Sequence, residues 1–378
     1  MKTGEIGKMK VGILTFHNAH NYGAVLQAYA LKTLIKNMGY DVKIINYRNE
    51  ALKKVYSPKL NINITKRDLI FPTRWKSLIK QKMQNKFAQD EWSRQYLAFS
   101  KFINNVLLDG DTLEVTKADL ERETFDYLIC GSDQIWNTWI TNGLDPVYFL
   151  DFKTNAKKIS YAASMPCELV NRDEREIKYL KDNISKFDYV SVREEELAKK
   201  LSEICKQSIE VTLDPSLLLD SKDYKKIELK TAFNKKYIFV YLVSEDDKVL
   251  EIAKKIGERL NLEVIELHYY LQRRLKGHNQ IADIGPSEFL TYIKNSEFVL
   301  TNSFHGTVFS ILYKKNFYSI YSRDSRKDNL LNMLNLNSRH IYSLENINLS
   351  DEIDYNKVYI ELNKCRKNSI DFLKKSLK

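Results

Sequence analysis

The chain has 378 residues, 43% of them hydrophobic and 29% charged, with a formal net charge of +11. That balance excludes a disordered or fibrous protein and gives enough length for two domains, each with its own core. The basic excess, 60 Lys+Arg against 49 Asp+Glu, is mostly dispersed lysine that reads as solvated surface. No zinc-finger spacing, aromatic RNA-binding signature or basic zipper accompanies it, so no nucleic-acid partner is expected.

Residues 1–8 are polar and lack the apolar stretch of a secretory signal, and Met9 is a candidate natural start. No later run is apolar enough to cross a bilayer, which implies a cytoplasmic protein. Attraction to an anionic membrane face stays open. Cys130, Cys167, Cys205 and Cys365 are far apart, as reduced thiols are, and offer neither a disulfide framework nor a metal site.

In chain order, Val11–Phe16 reads as a buried strand, Ala24–Met38 as a helix closed by Gly39, and Val42–Tyr47 as the next strand. This βαβ unit opens a Rossmann-like domain. Arg74–Leu108 is long, charged and helical in period, and is read as an insertion. Strands are then predicted at Asp126–Cys130, Val147–Asp151, Lys158–Ala163 and Tyr189–Val192, with a helix from Glu194 to about Ile204, after which Ile209–Thr212 leads into the next loop. Asp214-Pro215 marks a boundary, because a residue before proline is forced out of helix. The second unit repeats the pattern: strand Tyr237–Val243, helix Lys248–Leu260, strand Glu263–Leu267, then a helix capped by Ser287. Phe298–Thr301 leads to His305, and Phe317–Tyr321 is the next strand. The expected architecture is α/β, with a first Rossmann-like domain over 9–215, a second over 216–345, and a helical, basic segment over 346–378.

Paired α/β domains bind ligands at the carboxyl ends of their strands, which nominates four loops. The first, His17-Asn18-Ala19-His20-Asn21-Tyr22-Gly23, offers amides for sugar hydroxyls at Asn18 and Asn21 and a close backbone approach at Gly23. The same residues also make ordinary turns. In Gly131–Asn137, Asp133 is a candidate base and Trp136 a candidate sugar platform, against readings as a helix cap and a core side chain. In Ser191–Glu196, Arg193 either clamps an anion or pairs with Glu196. The fourth loop carries Ser303 and His305 into a helix whose first N–H groups, at Gly306 and Thr307, are candidate phosphate donors. An ordinary cap is the plainer alternative there.

Asn21–Gln27, Gly131–Asn137, Tyr161–Ser164, Ser191–Glu194, Asp214–Ser216 and Thr301–Gly306 together give the chain a pattern that resembles the polysaccharide pyruvyltransferase family, from Lys10 to about Arg339. The resemblance implies a GT-B-like fold of two facing Rossmann-type domains, the first on the acceptor side and the second on the phosphoenolpyruvate side. It also implies transfer of the pyruvyl unit of phosphoenolpyruvate onto two hydroxyls of one sugar, giving a ketal, with no further cofactor and no metal. Surface glycans, often lipid-linked and met at the cytoplasmic membrane face, are the acceptors it suggests. An arginine and a histidine matching Arg193 and His305 lie at the family's phosphoenolpyruvate site, which makes His305 the candidate acid and leaves Asp133, ahead of His17, as the base. Many members carry an arginine where this chain has Ser303, and Arg326 is the candidate replacement. A nucleotide-sugar glycosyltransferase and a non-catalytic saccharide-binding protein are the alternatives within the same fold.

Overall fold

The computed structural model describes residues 8–58, 75–170, 173–230, 233, 235–244, 246–268, 279–321, 325–342, 347, 348 and 350–378, with 75–88 as helix backbone alone. In the first half, strands β1 (Lys10–Leu14), β2 (Asp41–Ile44), β3 (Tyr127–Cys130), β4 (Lys157–Ala163), β5 (Tyr189–Val192) and β6 (Glu210–Val211) form a sheet in the order β2-β1-β3-β4-β5-β6. In the second, β7 (Tyr237–Tyr241), β8 (Glu263–Leu267), β9 (Asn279–Ile281), β10 (Phe298–Thr301), β11 (Asn316–Ile320) and β12 (His340–Ile341) take the order β12-β11-β10-β7-β8-β9. All pairings are parallel. Helices cover both faces of such sheets, so central strands are apolar throughout: every residue of β3 and β7 is buried.

The two sheets share one core. The helix Tyr22–Asn37 follows β1, yet Tyr22 stacks on Phe289 of the second half at 4.6 Å and donates to the Ile284 carbonyl at 3.0 Å. The predicted insertion is a helix over Trp75–Phe102 that runs into a wider turn at Ile103–Leu107, while Arg74 lies outside the described residues. It crosses to the second half, where Arg94 pairs with Asp283 at 2.7 Å and Gln95 donates to the Ala282 carbonyl at 2.8 Å. Helix Tyr355–Ser376 returns to the first half, packing Phe372 beside Tyr161 and Tyr189.

Two predicted elements differ. Val147–Asp151 is not a strand: Asp145 accepts from the Val147 N–H, Pro146 fixes the following turn, and Pro146–Phe149 forms a 3-10 helix. Gly285, not Ser287, precedes the helix Pro286–Asn295, and its N–H donates to the Glu288 carboxylate at 3.1 Å.

Candidate active site

The carboxyl ends of the two sheets face each other, and the loops leaving β1, β3, β5, β6, β10 and β11 meet there. The turn after β3 is tightly specified. Asp133 adopts φ +75°, uncommon for a residue with a side chain, and is kept there by the bond from Ser164 N–H to its carbonyl at 3.0 Å. Ser132 donates to the Ala162 carbonyl at 3.0 Å and accepts from Arg193 Nη2 at 2.6 Å. After β10, Ser303 caps the helix Phe304–Leu312 by accepting from the Gly306 N–H at 3.2 Å, so His305 lies in the first turn.

Behind the cleft runs a buried charged chain. Arg193 Nη2 lies 2.7 Å from Asp214 Oδ2, and the same carboxylate oxygen lies 3.5 Å from His305 Nε2. Burial would raise the Asp214 carboxyl, but Arg193 and then His305, with help from the Ser216 hydroxyl, hold it below the usual carboxylate range. Arg193 Nε and Nη1 and His305 Nε2 are buried with no hydrogen-bond partner among the described residues. Such orphans are rare in folded proteins and mark places where a ligand or water completes the bonding. In front of this chain lies a cavity of about 180 Å³ lined by Asn21, Asp133, Gln134, Ser303, Phe304, His305 and Arg326, among others. Arg326 Nη1 is 3.7 Å from Asp133 Oδ1, and the Gln134 amide lies 3.2 Å from both terminal nitrogens of Arg326. The Phe304 ring separates front from back, with the Arg193 and Arg326 guanidiniums 5.1 Å and 5.4 Å from its centroid. Contacts of His305 with Asp214, of Arg326 with Asp133 and Gln134, and of Phe304 with Arg193 thus join the halves across the cleft.

The family profile for polysaccharide pyruvyl transferases matches residues 21–325, a span that contains every side chain of this cluster except Arg326. The chain belongs to the polysaccharide pyruvyl transferase family. No individual curated protein matches it. Among solved structures, UDP-N-acetylglucosamine 2-epimerase from Rickettsia bellii is similar over 97% of this chain and 96% of its own, with a TM-score of 0.51 and 11% identity. The UDP-GlcNAc-bound 2-epimerase from Neisseria meningitidis covers 97% of this chain and 99% of its own, with a TM-score of 0.49 and 11% identity. At this identity the likeness shows the fold alone, which is GT-B.

Of the residues the sequence nominated for the family's chemistry, the structure brings Asp133, Arg193, Ser303, His305, Arg326 and Asn21 together. Arg193 pairs with Asp214 rather than Glu196, which binds Lys200 instead at 2.9 Å. Asn21 has a structural duty as well, its side-chain oxygen accepting from the Gly23 and Ala24 N–H groups. Asn18 is half-buried and not among the residues lining the cavity.

Four nominations need correction. His17 is fully buried, with its ring nitrogens 3.2 Å from the Thr15 carbonyl and 3.0 Å from Asn46 Oδ1, so it is no base for a hydroxyl in the cleft. Trp136 is equally buried, stacked on Phe149 and donating to the Tyr148 carbonyl, and has no free face for a sugar. The N–H groups of Gly306 and Thr307 are committed to Ser303, through its hydroxyl and its carbonyl, so the only first-turn N–H groups left for an anion are those of Phe304 and His305. Gly23 does permit a close approach, but the group approaching is His305: a methyl on Gly23 would meet its Nδ1 at 1.9 Å. The residues missed were Asp214, read as a boundary and as part of a family motif but given no role, and Phe304, part of the Thr301–Gly306 motif but given no role. The signal for Asp214 was a carboxylate directly after a short strand, where a strand-end loop was expected to carry chemistry.

Proposed function

We propose that this protein transfers the pyruvyl unit of phosphoenolpyruvate onto two hydroxyls of one sugar in a surface polysaccharide or cell-wall glycan. The observation that supports it most is the pair of buried Arg193 nitrogens, Nε and Nη1, that have no hydrogen-bond partner among the described residues, beside His305 and behind a small cavity lined by Arg326. Phosphoenolpyruvate has two anionic ends. Arg326, with the N–H groups of Phe304 and His305, suits one, and Arg193 suits the other. The cavity, about 180 Å³, is below the roughly 300 Å³ at which pockets for drug-sized ligands begin, a scale suited to a small donor.

In this reading His305 gives a proton to the methylene carbon, leaving a cationic centre at the former enol carbon. A sugar hydroxyl attacks that centre as Asp133 accepts its proton, forming the first C–O bond. The second hydroxyl then forms the other C–O bond as the C–O bond to phosphate breaks; inorganic phosphate departs with the bonding electrons and takes up the second hydroxyl's proton, while the proton on Asp133 passes to solvent and His305 is reprotonated from it. Asp214 touches neither substrate; it orients Arg193 and His305 and balances their charge. The acceptor is expected to be lipid-linked and reached at the inner membrane face, where weak charge attraction would concentrate the protein.

The test is a calorimetric titration with phosphoenolpyruvate, followed by the same titration in inorganic phosphate. Competitive binding, lost in Arg326→Ala, supports the reading. A nucleoside diphosphate that binds where phosphoenolpyruvate does not would replace it with nucleotide-sugar transfer.

A further inference from the structure

We propose that Tyr321 and Tyr342 form a platform for the acceptor oligosaccharide, holding sugars next to the one that is pyruvylated. The identity of the occupant rests on the pyruvyl-transfer reading; the platform itself rests on geometry. Strands β11 and β12 pair Ser319 with His340 and Ile320 with Ile341, and the Tyr321 N–H donates to the Ile341 carbonyl at 2.9 Å. The next step of that register sets Tyr321 beside Tyr342, and their rings stack at 4.6 Å with planes 26° apart. The His340 ring packs at 5.1 Å from Tyr342 and 5.7 Å from Tyr321 and is itself anchored 3.3 Å from Asp328.

Large aromatic side chains normally lie mostly buried, yet Tyr321 is 44% exposed and Tyr342 73%. Each ring of this stacked pair holds the other in place, the third ring packs against both, and the more exposed Tyr342 is left with open ring surface and a phenol hydroxyl at its edge. That surface matches a sugar ring, which presents C–H groups on its faces and hydroxyls around its rim. An anion is disfavoured there by the negative face of each ring. Location agrees with this occupant. His305 follows β10, and β11 and β12 succeed it toward the sheet edge, so at about 4.8 Å per strand the platform lies roughly 5–10 Å to the side of the reacting centre. It is also on the cleft side, since both tyrosines directly follow the carboxyl ends of their strands.

The experiment uses the full chain on an array of bacterial surface oligosaccharides and their component monosaccharides, with Tyr342→Phe, Tyr342→Ala and the Tyr321→Ala/Tyr342→Ala double variant beside wild type. Wild type should retain oligosaccharides in preference to monosaccharides. The double variant should lose roughly tenfold in affinity, a factor equal to about 1.4 kcal/mol, while Tyr342→Phe keeps most of it and thermal unfolding stays unchanged. Retention of no oligosaccharide by wild type, or equal retention by the double variant, overturns the platform. So does loss of uridine diphosphate binding in the double variant with glycan binding intact, which would make the pair a nucleobase shelf. Phosphoenolpyruvate-induced thermal stabilisation is read in parallel. Its absence in wild type counts against the donor assignment, whereas its presence with tyrosine-independent glycan binding counts against the platform alone.

Discussion

Gly23→Ala should disable the site without harming the fold. Gly23 is the second residue of the helix Tyr22–Asn37 and has an ordinary helical backbone, so alanine is conformationally welcome and should favour the helix by about 0.5–1 kcal/mol. The added methyl, however, would meet His305 at Nδ1, Cγ and Cε1 at 1.9, 2.3 and 2.5 Å. Contact at about 3.5 Å would require the imidazole to retreat by about 1.5 Å. Its retreat is limited, because Asp214 lies 3.5 Å from Nε2 and the Phe304 ring packs edge-on at 4.9 Å. A displacement of about 1 Å at a reacting group can cost 10²-fold in rate. Turnover is read as phosphate released from phosphoenolpyruvate in the presence of the glycan acceptor, alongside thermal unfolding. The expected result is a loss of about 10²-fold with the melting temperature within a few degrees of wild type. If the variant is instead less stable, the Gly23→Ala/His305→Ala pair should recover the loss, since it removes the ring that clashes. Wild-type turnover in Gly23→Ala would refute the placement of His305 as the acid.

Asp214→Asn leaves Arg193 buried without its carboxylate, and chemical denaturation should show a loss of about 3–5 kcal/mol, distinctly more than in an Arg193→Met/Asp214→Leu pair. Because the Asp214 carboxyl is held low in the folded chain, its contribution is complete above about pH 4 and decays only as pH falls further, so this difference should be flat from neutrality down to that point. His20, buried among Tyr56, Tyr96 and Phe99, is pushed down to about 4 by burial first and then by Arg48. Between that value and about 6.5 the unfolded chain takes up the extra proton, so urea melts should lose about 3 kcal/mol as pH falls through this window, a loss that His20→Phe reduces. Cosedimentation with anionic vesicles should appear at low ionic strength and vanish as the screening length contracts from about 30 Å at 0.01 M to about 8 Å at 0.15 M. Equal partition onto neutral vesicles would remove charge as its cause.

Much of this arrangement is legible in the amino-acid sequence because the relevant signals are local. A parallel strand buried on both faces must be apolar, and the loop after it must turn with residues such as those of Gly131–Asp133 or Thr301–Ser303, so the cleft-facing positions of Asp133 and His305 follow from chain order. Arg326 is legible for the same reason, following β11 by a few residues. What fails are judgements that need tertiary neighbours. Nothing in the sequence says that His17 is sealed between Thr15 and Asn46, or that Trp136 lies flat on Phe149. Equally, the group that comes up against Gly23 sits 282 positions away, on the other half of the molecule. Asp214 escapes notice because Asp-Pro is a strong break signal, and the same dipeptide serves both as a break and as the carboxylate between Arg193 and His305.

The helix Tyr355–Ser376 extends the support of the candidate site to residues far from the cleft. Arg366 donates to the Leu217 and Leu219 carbonyls at 2.5 and 2.8 Å and pairs with Asp220 at 2.7 Å, while Ser369 Oγ accepts from the Leu213 N–H at 3.0 Å. These bonds fall on both sides of Asp214, in the strand of chain that passes from the first sheet to the second. The helix therefore works as a splint across the crossover, and the buried carboxylate keeps its aim through a brace made some 150 positions later in the chain. A change on the solvent side of that helix that loosened Arg366 would reach the chemistry mechanically, by letting the crossover sag, before it disturbed either sheet.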